Sequence, residues 1–190
     1  MSQARTVTAT FVQTFVLTAA KSGSGGGTLA SDAGGIDCGS TCTATFDLAS
    51  PATQVTLTAT ADSGSRFTGW SGACTATSGD CAITMDRTQG VIAFFARITY
   101  RLSVTSGIGG SVGGTLACAT GSTCSVDLSS GTSVMLTANP TTGYRLTSWT
   151  GCETSSGTSC SVTMDGARTV TASFGLVPVP LTLRTNGSGL

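Results

Sequence analysis

RFTGWSGACTATSGDCAITMDRTQGVIAFF, residues 66–95, is the stretch on which the fold turns. It returns as YRLTSWTGCETSSGTSCSVTMDGARTVTASF at 144–174, with Trp70 matched by Trp149, Cys81 by Cys160 and Met85 by Met164 at one constant offset. A match that keeps register over so many positions marks a tandem repeat, the first thing to seek in any sequence. The opening residues carry the same template: MSQARTVTATF at 1–11 aligns with MDGARTVTASF at 164–174. Two full units of about 80 residues each follow, with a partial unit at either end.

Outward from that stretch, strand signals dominate. In the first unit FVLTAA (15–20) leads into the Gly-rich KSGSGGG. GTLAS, the cysteine pair of CGSTC (38–42), TATFDL (43–48) and QVTLTATA (54–61) come next. Residues 66–70, AITMD (82–86) and GVIAFFA (90–96) complete the unit. Apolar and hydroxyl residues alternate at period two in these runs, the pattern of half-buried strands, and glycines supply the turns. The second unit repeats the order with YRLSVTS (100–106), GTLA (114–117), SVDLSS (125–130), SVMLTANP (133–140), YRLTSW (144–149), SVTMD (161–165) and RTVTASF (168–174). No helical stripe of useful length exists. The expected class is all-β: tandem small disulfide-stapled β-domains, β-grasp-like or small sandwiches, with little or no helix. The expected layout is the last strand of a preceding unit at 1–11, a first unit at 12–97 and a second at 98–177. A Pro-stiffened linker and the first strand of a following unit fill 178–190. Because the opening residues match a unit's last strand, the reading is a window on a longer chain with its export signal upstream.

Composition narrows the partners. Charged residues make up 9% and the net charge is zero, which argues against nucleic acid and anionic membrane surfaces. No run reaches the length of a membrane span. A chain poor in charge and rich in hydroxyls could be disordered, but disordered segments lack β-branched alternation such as QVTLTAT. Units this small bury only about 60% of their unfolded surface and benefit from covalent staples. Eight cysteines, Cys38, Cys42, Cys74, Cys81, Cys118, Cys124, Cys152 and Cys160, are the staples expected, in an oxidising compartment.

Their connectivity has two readings. Local pairs join Cys38 to Cys42, Cys74 to Cys81, Cys118 to Cys124 and Cys152 to Cys160. Closing a loop of about five residues stabilises by roughly 2 kcal/mol, against roughly 4 for a cross-pair such as Cys38–Cys74. Both loops lengthen in the second unit, and a closed loop absorbs such a change more easily than a bridge between sheets. That favours local pairs, although spacing alone does not fix connectivity. A zinc site is the functional rival, but no C-x-x-C knuckle and no histidine is present.

Combined, GIDCGSTC, then VTLTA, then G-W-S-G-x-C or S-W-T-G-C, then C-x-I/V-T-M-D, then TVTA-x-F resembles the divergent internalin-type B repeat of bacterial surface proteins. The resemblance covers nearly the whole chain and implies a small sheet-rich, β-grasp-like domain. Such domains stand in tandem in secreted or surface-anchored proteins, as stalks or adhesive arrays. It brings no catalytic residues. The second copy departs from the first at Ser148-Trp149-Thr150, where the first has Gly69-Trp70-Ser71, and in its longer cysteine loops.

Each remaining feature has a bland reading and a sharp one. Trp70 and Trp149 would either stack on sugar rings or anchor one small core per unit, and burial of the large indole favours the core. Met85, Met164, Phe95 and Phe174 are assigned to the same cores. Asp86 and Asp165 would either hold calcium or cap turns, and neither stands in a calcium-loop pattern. Without histidine, Ser-His-Asp and Cys-His catalysis is impossible. Lys21 is the only lysine, which excludes a repeated Lys–Asn staple, and the Asn186 sequon reads as a turn. No residue set calls for a cofactor. The functional expectation is a non-catalytic structural segment of an extracellular stalk, fibre or adhesin. Its partners are neighbouring repeats of one chain or other copies of it. Alternatives are a glycan- or surface-binding module beside a secreted enzyme, and a filament subunit joined by strand exchange.

Overall fold

The structure, a computed structural model, describes residues 6–48 and 52–182. The chain divides into two units at Ile98/Thr99. Among the described residues there is no helix.

The first unit holds strands β1 (Thr14–Gly23), β2 (Gly27–Ser31), β3 (Thr43–Asp47), β4 (Gln54–Ala61), β5 (Ser65–Gly72), β6 (Cys81–Thr84) and β7 (Gln89–Arg97). They form one sheet in the order β3-β1-β7-β5 and another in the order β2-β4-β6. The first and last strands lie parallel at the centre of the larger sheet, with Leu17 opposite Gln89. All other pairings are antiparallel. The second unit holds β8 (Thr99–Ser106), β9 (Gly110–Gly114), β10 (Thr123–Ser129), β11 (Ser133–Pro140), β12 (Tyr144–Thr150), β13 (Thr154–Ser156), β14 (Ser159–Thr163) and β15 (Arg168–Leu176). Its sheets run β10-β8-β15-β12 and β13-β14-β11-β9, and β15 lies parallel to β8.

Alternation explains the layering. In β4, Val55 and Leu57 are fully buried while Gln54 and Thr58 face solvent. Leu17, Val91 and Phe95 from the larger sheet meet Leu29, Val55, Leu57 and Ile83 from the smaller in a single cluster. Each unit is therefore a small sandwich. Leu102, Val112, Val134, Leu136, Met164 and Val170 build the second core in the same way. Fully burying one such aliphatic side chain contributes about 1.5–3 kcal/mol.

Two local features recur in both copies. The pairing of β5 with β7 skips a residue between Phe67 and Gly69, and that of β12 with β15 skips between Leu146 and Ser148. The bulged Thr68 donates its hydroxyl to Phe94 O (3.1 Å), as Thr147 does to Ser173 O (3.0 Å). One extra residue shifts the side-chain alternation. Phe67 and Trp70, three apart, thereby both pack in the core. The second feature is a glycine under an aromatic ring. A Cβ at Gly27 would run into the ring of Phe95, and one at Gly110 into the ring of Phe174. Gly27→Ala and Gly110→Ala should each lower the stability of their unit by about 1–3 kcal/mol, the usual cost of overpacking. Thermal melting of the two variants checks this, and an unshifted transition would show that the ring moves aside freely.

That glycine corrects one expectation. In the second unit GTLA (114–117) is not a strand; β9 is GSVGG, Gly110–Gly114. The position under Phe174 must be glycine, and Gly110 occupies it, so the strand begins there. The terminal expectations fare as follows. Of the strand expected at 1–11 as the end of a preceding unit, residues 1–5 lie outside the described residues, and 6–11 are exposed and pair with no strand among the described residues. Residues 178–182 are likewise outside any strand, and 183–190, including Asn186, lie outside the described residues.

Candidate functional site

The elements that differ most between the copies are the disulfide loops and the sheet edges beside them. Four disulfides join Cys38 to Cys42, Cys74 to Cys81, Cys118 to Cys124 and Cys152 to Cys160, with Cα–Cα distances of 4.5, 6.0, 5.6 and 5.6 Å. In each pair one sulfur-bearing residue is buried (Cys38, Cys81, Cys118, Cys160) and its partner half-buried, so each bridge ties a surface loop to a core.

The first loop of each unit seals one sheet edge. Cys38 N–H donates to Leu29 O (2.8 Å), and Asp37 bridges to Ala30, so the CGSTC loop lies along the outer edge of β2. In the second unit Val112 and Cys118 exchange both backbone bonds, at 2.9 and 2.8 Å, and so cover the edge of β9. Sealing matters because an open edge templates pairing with other chains.

The second loop takes two different positions. In the first unit it lies along β5: Trp70 N–H donates to Ala76 O (2.8 Å), and the indole Nε1–H donates to Gly79 O (2.9 Å). In the second unit the loop is one residue longer and turns the other way. Its residues 154–156 become β13, which pairs with β14, and Glu153 N–H donates to Ser161 O (2.9 Å). Arg168 holds this arrangement from outside, with Nη2 2.9 Å from Glu153 Oε1 and 2.7 Å from Asp165 Oδ1. Among the described residues no loop pairs with the outer edge of β12.

The two tryptophans record this difference. Trp70 is 5% exposed, with its ring 5.2 Å from that of Phe67, which in turn lies 5.8 Å from that of Phe95. Such an indole has no face open to a stacking sugar. Trp149 is half-buried, has Leu146 where the first copy has Phe67, and its buried Nε1 finds no partner among the described residues. Met85, Met164 and Phe95 are fully buried, and Phe174 is half-buried against the second core.

Charged groups are few and at the surface. Asp86 faces Arg87 at 3.3 Å, and Asp165 faces Arg168, contacts worth about 0–1 kcal/mol each when exposed. Among the described residues no three potential metal ligands converge. Two clefts, of about 190 Å³ beside Lys21 and Asp62 and about 160 Å³ beside Met135, fall below the roughly 300 Å³ of ordinary small-molecule sites. Lys21 Nζ is engaged with Gly27 O (2.9 Å), the carbonyl whose counterpart, Gly110 O, accepts from Ser106 Oγ (2.9 Å).

Asp32 lies at the end of β2 and is tied by a hydrogen bond to β4. The backbone N–H of Thr56 donates to its Oδ1 at 2.8 Å and holds its pKa below the ordinary 3.8. The ionised form is thus favoured in the folded state. Its stabilising contribution is complete above pH 3.8 and is lost as the pH falls through the lower folded-state value. Asp32→Asn should flatten the acid limb of the first unit's stability curve, and an unchanged limb would contradict this role.

A family model described as the divergent InlB B-repeat domain matches residues 37–99 and 100–178. Among solved structures the chain is similar to the Bacillus anthracis TIE protein, with TM-score 0.47 and 7% identity over 83% of this chain and 33% of that one. It is also similar to the major pilin protein T-13 of Streptococcus pyogenes, with TM-score 0.37 and 11% identity over 86% of this chain and 97% of that one. The chain spans about a third of the first structure's length. No curated protein matches the chain.

Proposed function

Since the chain belongs to the divergent InlB B-repeat domain family, we propose that it is a non-catalytic structural segment of an extracellular stalk, fibre or adhesin assembled from such repeats. The observation that carries this reading is one stapled sandwich built twice in direct succession. β7 ends at Arg97 and β8 begins at Thr99, with Ile98 alone between them. Repeats of this kind lengthen a chain without adding a site. The disulfides support an oxidising location, because cytosolic thiols are kept reduced. No helix among the described residues is long and apolar enough to cross a membrane, so any anchoring in this segment would need another device.

The test is surface proteolysis of intact source cells, with peptides identified by mass spectrometry without reduction. Peptides carrying the Cys74–Cys81 and Cys152–Cys160 bridges, released from the cell surface or medium, are expected. Recovery of this sequence only from the cytosolic fraction, with free thiols, would overturn the proposal.

A further inference from the structure

The outer face of the β3-β1-β7-β5 sheet is apolar in the first unit, and its counterpart in the second unit is polar. On β7, Val91, Ala93 and Phe95 enter the core, so Ile92 and Phe94 stand on the other side. Ala20 of β1 lies beside Ile92 in register, and Val16 projects from the same strand and face. Val16, Ile92 and Phe94 are each 36% exposed. The pairings of β8 and β15 put Arg101, Thr105, Thr171 and Ser173 at the matching places in the second unit. One sandwich therefore folds with hydroxyls and an arginine where the other shows valine, alanine, isoleucine and phenylalanine. The fold does not require these apolar side chains, and apolar groups gathered on one exposed face mark a surface that is covered in use.

Charge placement identifies the cover. Asp47 stands at one corner of this face, opposite Thr14 at the start of β1. Arg66 stands at the diagonal corner, opposite Ala96 near the end of β7. Among the described residues neither enters an ion pair, and no charged residue of the face lies between them. A two-fold axis in the contact plane, perpendicular to that diagonal, sets Asp47 of each copy against Arg66 of the other. The Ala20–Ile92 pair lies near the centre and meets itself across the axis. We propose that this face is the contact between two copies of the chain, packed sheet on sheet about such an axis. Four strands about 4.8 Å apart, each about eight residues long, make a face of roughly 500 Å². Two such faces bury about 1,000 Å², the lower limit for a specific contact, so the dimer is weak and forms as concentration rises. An apolar centre with charges at the rim is the usual composition of such contacts. Because the same patch serves both copies, the contact closes as a dimer and pairs two chains side by side.

This draws on the structural reading only for its setting and is tested separately from it. Sedimentation velocity of the whole chain, from micromolar to millimolar concentration, should show a monomer–dimer equilibrium. Ile92→Thr with Phe94→Ser installs the residues that the second unit carries at those places, so folding should be retained. This variant should weaken the dimer by about tenfold or more while both units still melt as folded domains. Asp47→Arg and Arg66→Asp, each alone, should weaken it too, and the two together should restore it. A chain monomeric at millimolar concentration would overturn the proposal. So would a dimer unaffected by Ile92→Thr with Phe94→Ser, or a charge exchange that restores nothing. Surface location of the source protein would be untouched by any of these results.

Discussion

Trp70→Ala should cost the first unit about 3–5 kcal/mol, and Trp149→Ala should cost the second clearly less. The asymmetry follows from what each ring touches. Trp70 is packed against Phe67 within the shared core, and its Nε1 bonds Gly79 O. Truncation there empties the site of one of the largest side chains, worth roughly 150–250 Å² of burial, and strands the loop carbonyl. Among the described residues Trp149 has neither the aromatic neighbour nor the hydrogen bond, and the residue is only half-buried. For a domain of this size a loss of 1 kcal/mol lowers the melting temperature by about 4–8 °C. Calorimetry of Trp70→Ala should therefore show one transition moved far down and the other in place. Equal shifts in the two variants would mean that the loop position does not govern the burial of the ring.

Reduction of the four disulfides should be of similar size. In the chain-entropy account each of these short closed loops contributes about 2–3 kcal/mol, hence about 4–6 kcal/mol per unit. A unit of about 85 residues has a total stability of roughly 4–13 kcal/mol. Staples supply a large share of that total, as expected where the core is small. Circular dichroism melts with and without reductant decide the matter: the reduced chain should lose its β signal at much lower temperature. An unchanged melt would mean that the cores suffice alone. The bridges would then serve to hold the edge-sealing loops in place rather than to stabilise the fold.

Much of this architecture is legible in the residues. Alternation in QVTLTATA marks β4 over its full length, because a strand with one face in a core exposes its periodicity. The recurrence of tryptophan, cysteine and methionine at one offset reveals the tandem, since each unit needs its own core. Three features escape such reading. β9 is misplaced because its start is fixed by Phe174 lying over Gly110, a contact distant in sequence, and not by the likeness of GTLA to GTLAS. β13 is hidden because ETSSGTS has the composition of a loop. It becomes a strand only when the loop turns toward β14, with Glu153 held by Arg168. The burial of Trp149 is overestimated for the same reason, as a core anchor is judged by its type whereas its cover is supplied by a loop. Of the candidate site, the cysteines and tryptophans could be named from sequence, but the edge of β12, which no strand or loop of the described residues pairs with, could not. Its existence depends on which of two edges the loop chooses.

The central claim is that the chain is a tandem of two self-contained stapled sandwiches. Stretching single molecules of the whole chain from its two ends tests it most directly. Two separate unfolding events of similar length are predicted, each lengthened after reduction as the closed loops are released. A single event spanning the whole chain, or lengths unaffected by reductant, would contradict it.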